Sequence, residues 1–134
     1  MNNSEVAKIY ANSTKEAKTD NLFIYGLDIF SYGYHFKIAH KESNKVVLFN
    51  TLSYSQTTAK HKSLVLNELN KAHFKIIFVY GADTDNLNKQ ISINKKGIAD
   101  LLLKKTKTER TTALKNERIK FLKEQNSLIN NLSI

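Results

Sequence analysis

Alternation of apolar and polar residues predicts β-strands in the middle of the chain. Tyr34, Phe36 and Ile38 alternate with less apolar neighbours, which is the pattern of a half-buried strand. Residues 42–44 form a predicted turn, and residues 46–49 a returning strand, while residues 22–25 are a further candidate. Residues 74–80 are apolar on both faces, so we expect this last strand at the centre of the sheet.

Apolar residues at helical spacing predict helices on both sides of these strands. Val6, Ile9 and Tyr10 indicate a short helix, followed by a polar linker over residues 12–20. Ser55 and Thr57 are suitable N-caps for a longer helix. One face of that helix carries His61, Leu64, Val65, Glu68, Leu69 and Ala72.

The pattern changes after Gly97, where Ile98, Leu101 and Leu102 begin a helix. Residues 104–112 are almost free of apolar side chains. Leu114, Phe121 and Leu128 then recur every seven residues, with Leu122 and Ile129 beside them. This pattern predicts a second amphipathic helix or one long helix with a polar waist.

This order of elements predicts an α+β fold: a small antiparallel sheet of about four strands with one packed helix, followed by a C-terminal helical extension. The corresponding regions are a short helix and linker over residues 1–20, a core domain over residues 21–93 and a lysine-rich extension over residues 94–134.

The amino-acid composition excludes several kinds of functional site. The 134 residues include no Cys, which excludes disulfides, thiol catalysis and thiolate metal sites. The chain has no Pro and only 4 Gly, so a glycine-rich phosphate-binding loop is disfavoured, and we expect no cofactor. The polar N-terminus has no apolar signal segment, and the longest apolar run, residues 76–80, is far too short for a membrane span. We therefore expect a soluble cytoplasmic protein without a membrane partner.

Positive charge is the main functional indication. Lys and Arg number 21 against 12 Asp and Glu, giving a net charge of +9. This excess predicts contact with a polyanion such as RNA, although a solvated helix face is the simpler alternative. The C-terminal residues expected to bind phosphate are Lys104, Lys105, Lys107, Arg110, Lys115 and Arg118. The apolar stripe of this region could form a homodimer or dock on the domain's own sheet.

A second candidate site lies at the start of the helix after Ser55. Thr57, Lys60, His61 and Lys62 could bind a phosphate at the helix N-terminus. His61 could also take or give a proton in RNA cleavage, with Lys60 and Lys62 holding the phosphate. The alternative is that these residues only cap and pack the helix.

Tyr34 and Lys37, with neighbouring Tyr32, His35 and Phe36, form an aromatic and basic strand that could stack unpaired bases. The alternative is that these rings form the core beneath the helix. The four histidines show no metal-ligand spacing, and the segment that starts at Asp83 lacks the ligands and glycine of a calcium loop. We expect no metal site.

One stretch resembles a family of uncharacterised small domains encoded by phages and other mobile elements. The resemblance rests on Gly33-Tyr34-x-Phe36-x-Ile38-Ala39, Leu48-x-Asn50 and Tyr54-Ser55-x-Thr57-Thr58-x-Lys60-His61. It implies an accessory protein of a phage or prophage that acts on host nucleic-acid or defence machinery. An anti-CRISPR protein that contacts guide RNA or its protein complex is the role this setting suggests.

The sequence therefore predicts a non-enzymatic basic protein that binds RNA or a ribonucleoprotein and inhibits a CRISPR-Cas complex in the cytoplasm of an infected or lysogenic bacterium. A metal-independent ribonuclease centred on His61 and Lys60 is one alternative. A regulatory oligomer built through the C-terminal helix is the other.

Overall fold

Five strands form a single sheet in the first part of the chain. The computed structural model describes residues 1–32, 36–52 and 55–132. The strands lie side by side in chain order; the first three pairs of neighbours run antiparallel, and the last pair, β4 with β5, is parallel. They are β1 (Leu22–Tyr25), β2 (Asp28–Ser31), β3 (Phe36–Ser43), β4 (Val46–Asn50) and β5 (Lys75–Val79).

Helices precede, interrupt and follow the sheet, so the predicted α+β class is confirmed. Two 3₁₀ turns, Tyr80–Ala82 and Thr84–Asn86, follow β5. Among the described residues, none of the helices is both long and apolar enough to cross a bilayer. The helices are α1 (Asn3–Asn12), α2 (Gln56–Lys71), α3 (Leu87–Leu103) and α4 (Glu109–Asn130).

The chain divides into two compact units, residues 1–84 and residues 85–134. The predicted boundary between residues 93 and 94 falls inside α3. In the first unit, α1 and α2 contact each other and share one core with the sheet. This core includes Val6, Ala7, Tyr10 and Ala11 of α1, all buried, so the sheet carries two packed helices instead of the one expected.

The sheet differs from the prediction in two of its strands, β2 and β5. β2 was not predicted because its four residues include only two apolar side chains, too few for an alternating pattern. The expectation of a central position for residues 74–80 is wrong, since β5 is an edge strand that pairs only with β4. Its Ile77 and Val79 are fully buried even so. Apolar residues on both faces of a strand indicate that other parts of the protein pack on both faces. They do not require a hydrogen-bonded strand on each side.

The second unit is a helical hairpin in which α3 and α4 run antiparallel. α3 begins at Leu87, ten residues before the predicted start. Gly97 lies within this helix because its missing side chain admits Leu122: a Cβ atom there would lie 3.3 Å from Leu122 Cδ1. In the predicted stripe on α4, Leu122 and Ile129 are buried, together with Ile119, whereas Leu114 is 56% exposed.

Amide side chains are bonded in the interior of the hairpin. Gln90 Nε2 donates to Asn94 Oδ1 at 2.9 Å, and Asn94 Nδ2 donates to Asn126 Oδ1 at 2.9 Å. Asn126 Nδ2 in turn donates to the Ile91 carbonyl at 3.4 Å. All three amide residues are buried, so this chain of bonds fixes which turn of α4 lies beside which turn of α3.

We expect Asn94→Ala to lower the free energy of unfolding by about 2 kcal/mol, because it removes two buried hydrogen bonds, the one from Gln90 Nε2 and the one to Asn126 Oδ1. Urea unfolding followed by the helical circular dichroism signal measures the loss. Asn88→Ala, an exposed position on the same helix, is the matched control and should change stability by less than about 0.5 kcal/mol. Equal effects of the two substitutions would contradict the structural role of the amide chain.

Candidate nucleic-acid interface

A cleft of about 490 Å³ opens where α3 ends and α4 begins. Nine residues line it, drawn from the end of α3, the connection and the first half of α4. Five of the nine are Lys or Arg, and none of the nine is Asp or Glu. The lining residues are Leu101, Lys104, Lys105, Thr106, Lys107, Thr111, Leu114, Lys115 and Arg118.

Local hydrogen bonds hold the connection between the two helices. The extended backbone of Lys104 ends α3. Thr108 then begins α4 with a capping box: its hydroxyl accepts from Thr111 N at 3.1 Å, while Thr111 Oγ1 accepts from Thr108 N at 3.2 Å. Lys115 Nζ donates to the Lys104 carbonyl at 3.3 Å, which ties the first half of α4 to the end of α3.

The cations of the cleft have no anionic neighbour among the residues that the structure describes. No carboxylate oxygen lies within 4.0 Å of Lys104, Lys105 or Lys107, nor of Lys115 or Arg118. The Arg118 guanidinium instead lies 4.9 Å from the centre of the Phe121 ring. The cleft is thus a concentration of positive charge with an apolar lining from Leu101 and Leu114.

The structure brings together five of the six C-terminal cations predicted to bind phosphate. Arg110 is exposed on the first turn of α4 and does not line the cleft. The predicted alternative of one long helix with a polar waist is wrong, because residues 104–108 are not helical. The loop formed by these residues gathers the cations instead. Sequence reasoning also missed Thr106 and Thr111, although Thr108 and Thr111 have the spacing of a helix-capping pair.

The other predicted cluster lies at the start of α2, in the first unit. Its His61 and Lys62 side chains contact other residues of that unit. Ser55 caps α2 by accepting from Thr58 N at 3.2 Å, while Thr57 and Lys60 are exposed. Lys62 Nζ donates to the Leu52 carbonyl at 2.6 Å and lies 5.6 Å from the Phe49 ring centre. Burial lowers the pKa of Lys62.

His61 lies in the interior of the first unit, with an exposed fraction of only 3%. Its Nδ1 is 2.7 Å from Ser31 Oγ on β2, and its Nε2 is 3.3 Å from Asn3 Nδ2 on α1. Asn3 Oδ1 also accepts a bond from Thr19 Oγ1. The imidazole therefore joins α1, the sheet and α2, and burial lowers its pKa.

The predicted aromatic strand divides between surface and core. Phe36 is buried, whereas Tyr32 is exposed and its ring centre lies 5.8 Å from that of His61. Lys37 Nζ is 3.9 Å from Asp28 Oδ2. Tyr34 and His35 lie outside the described residues, so a base-stacking role for this strand stays a prediction.

A charged cluster on β2 and β3 was not predicted. His40 Nδ1 is 2.6 Å from Asp28 Oδ1, and His40 Nε2 is 3.3 Å from Glu42 Oε2. The hydrogen bond to Asp28 raises the pKa of His40, and both carboxylates add to the effect. Cross-strand pairing of Asp28 with His40 creates this contact, which needs strand register and cannot be seen in the sequence. Within the described residues no group of His, Asp and Glu side chains is arranged to hold a metal ion.

The buried His61 and the half-buried His40 make opposite contributions to stability in acid. The folded chain holds His61 with a lowered pKa, so its contribution is complete above the ordinary value of 6.5 and is lost as the pH falls below that value. We therefore expect His61→Gln to reduce the loss of stability between about pH 7.5 and about pH 5. His40, with a raised pKa, acts in the reverse sense in both proteins.

Urea unfolding at the two pH values measures this difference. His73→Asn is the matched control, because His73 is exposed and Asn tolerates its positive φ of 63°. If the wild-type protein and the His61→Gln variant lost stability in parallel, the buried imidazole would not be the acid-sensitive group.

Comparisons with known proteins identify no relative from which a site can be transferred. No protein-family model, curated protein or solved structure matches the chain. The resemblance to domains of phages and mobile elements therefore stays a prediction. The cleft between α3 and α4 has to be interpreted from its own geometry and charge.

Proposed function

We propose that this chain is a non-enzymatic RNA-binding protein and that the cleft between α3 and α4 is its principal contact. The observation that supports this function is the convergence of five cations on one concave surface with no carboxylate among the lining residues. Like charges gathered in this way repel one another, and a polyanion removes that repulsion when it binds.

RNA is the polyanion that the chemistry favours. Each phosphate neutralised by Lys or Arg releases condensed counterions, so the affinity gain is greatest at low salt. Arg118 can pair with a phosphate through two parallel hydrogen bonds, while the lysines act as mobile point charges. The net charge of +9 adds a longer-range attraction that speeds the encounter with RNA.

We further propose an anti-defence setting for this activity. A basic protein cannot imitate DNA by charge, but it can engage the RNA of a ribonucleoprotein. The proposed target is the guide RNA complex of a CRISPR effector, in the cytoplasm of an infected or lysogenic bacterium. This part of the proposal rests on the sequence resemblance over residues 33–61.

The ribonuclease and oligomer interpretations stay untested predictions. The buried position of His61, with a polar partner within bonding distance of each ring nitrogen, does not favour its use as an acid or base on RNA. The apolar residues of α4 pack within the hairpin, which gives part of its stripe a partner in the same chain.

Replacing Lys104, Lys105 and Lys107 together with Gln should weaken RNA binding and its salt dependence. We expect the dissociation constant at low salt to rise at least about tenfold, and the slope of log affinity against log salt to fall by about 2, since single strands lose roughly 0.7 per phosphate contact. Fluorescence anisotropy with a labelled single-stranded RNA over a salt series measures both quantities.

The matched control replaces three exposed lysines of the first unit, Lys8, Lys15 and Lys18, with Gln. This variant has the same net charge but keeps the cleft. If both triple variants lost the same affinity and slope, the charge of the whole chain would bind RNA and the cleft would have no special part. Binding by the wild-type chain that is insensitive to salt would overturn the proposed function itself.

The anti-defence setting makes a separate prediction for affinity capture. A purified CRISPR effector loaded with guide RNA should be retained by the wild-type chain and poorly retained by the triple variant of the cleft. Retention of the effector protein stripped of its guide RNA should be much weaker. Equal retention with and without the RNA would show that the complex, if it forms, does not depend on the nucleic acid.

A further inference from the structure

The cleft has an apolar lining as well as a positive rim. Leu114 is 56% exposed and lines the cleft together with Leu101, among Lys104, Lys107 and Arg118. Contact with the outside of a duplex requires only cations along the phosphate backbone. Exposed leucine between those cations adds nothing to such a contact, so it indicates a ligand that has an apolar face beside its phosphates.

The volume sets the size of the ligand. A cleft of about 490 Å³ falls in the range of roughly 300–1,000 Å³ that is usual for small-molecule sites. It is therefore large enough for a group the size of a nucleotide, and too small to contain a folded helix of RNA. Because bases in a duplex are stacked and paired, only an unpaired nucleotide can present a base to such a site.

The polar groups of the cleft leave little means of distinguishing one base from another. Its lining contains no carboxylate and no amide side chain. The Thr111 hydroxyl donates to the Thr108 carbonyl at 2.9 Å, and the Thr106 hydroxyl is bonded to Thr112. A base held here contacts aliphatic side chains, and such contacts are similar for all four bases.

We propose that the cleft accommodates one unpaired nucleotide of a single-stranded RNA, with the base against Leu101 and Leu114 and the flanking phosphates on the surrounding cations. This inference rests on the proposed function and names the form of RNA that the site takes. It makes the chain a reader of single strands with little preference for sequence.

The test compares three probes with equal numbers of phosphates: a single-stranded RNA, the same strand with abasic positions, and an RNA duplex. The single strand should bind the wild-type chain several-fold more tightly than either of the others. Leu114→Ser should weaken single-strand binding about fivefold, which corresponds to the loss of part of one buried aliphatic contact, and should leave abasic and duplex binding unchanged.

Leu103→Ser is the matched control, since Leu103 is 83% exposed in the same unit and does not line the cleft. It should bind every probe as the wild type does. Both variants change exposed residues, and unaltered helical circular dichroism would confirm that the hairpin is intact.

The outcomes separate the inference from the function on which it rests. Equal binding of all three probes, with Leu114→Ser silent, would overturn the inference and leave RNA binding in place. Equal losses from Leu114→Ser and Leu103→Ser would also overturn it. An absence of RNA binding, with capture of an acidic leucine-containing peptide instead, would overturn both and identify a protein-docking cleft.

Discussion

The candidate site depends on the packing of two antiparallel helices around a bonded row of amide side chains. Hydrogen bonds join the side chains of Gln90, Asn94 and Asn126 in the interior of the hairpin. A shift of α4 by one turn would separate these groups and leave polar atoms buried without partners, which is costly in a low-dielectric interior. The amide row therefore sets the register of α4 against α3, and the connection between these two helices carries the cations of the cleft.

Gathering these cations has an electrostatic cost that the local structure partly offsets. Lys115 donates to the Lys104 carbonyl at the end of α3, where the helix dipole favours positive charge, and Arg118 lies on the Phe121 ring. The capping box of Thr108 and Thr111 keeps the start of α4 ordered without using a charged group. The connection can thus remain defined while its lysines stay directed to solvent and available to an anion.

Much of the fold could be predicted from the sequence, and the positions that failed share a physical cause. The strand over residues 46–49, the capping of α2 by Ser55 and the helix containing Tyr10 all follow from local patterns. The position of β5 at the edge depends on which strands pair with it, which no local pattern reports. For the candidate site, the density of positive charge in the sequence indicated the stretch of chain that lines the cleft, but the cleft itself forms because the connection between α3 and α4 reverses the direction of the chain. The contacts of His61 and His40 join residues distant in sequence, so spacing alone could not show them.

Gly97 carries a consequence for how the hairpin could vary among related chains. Within a helix, glycine lowers stability by roughly 0.5–1 kcal/mol relative to alanine, so another residue is favoured wherever there is space for its side chain. Here even a methyl group would meet Leu122 at 3.3 Å. A residue with a side chain at position 97 requires Leu122 to move by a few tenths of an ångström, so a smaller residue in place of Leu122 should make substitutions of Gly97 easier to accommodate.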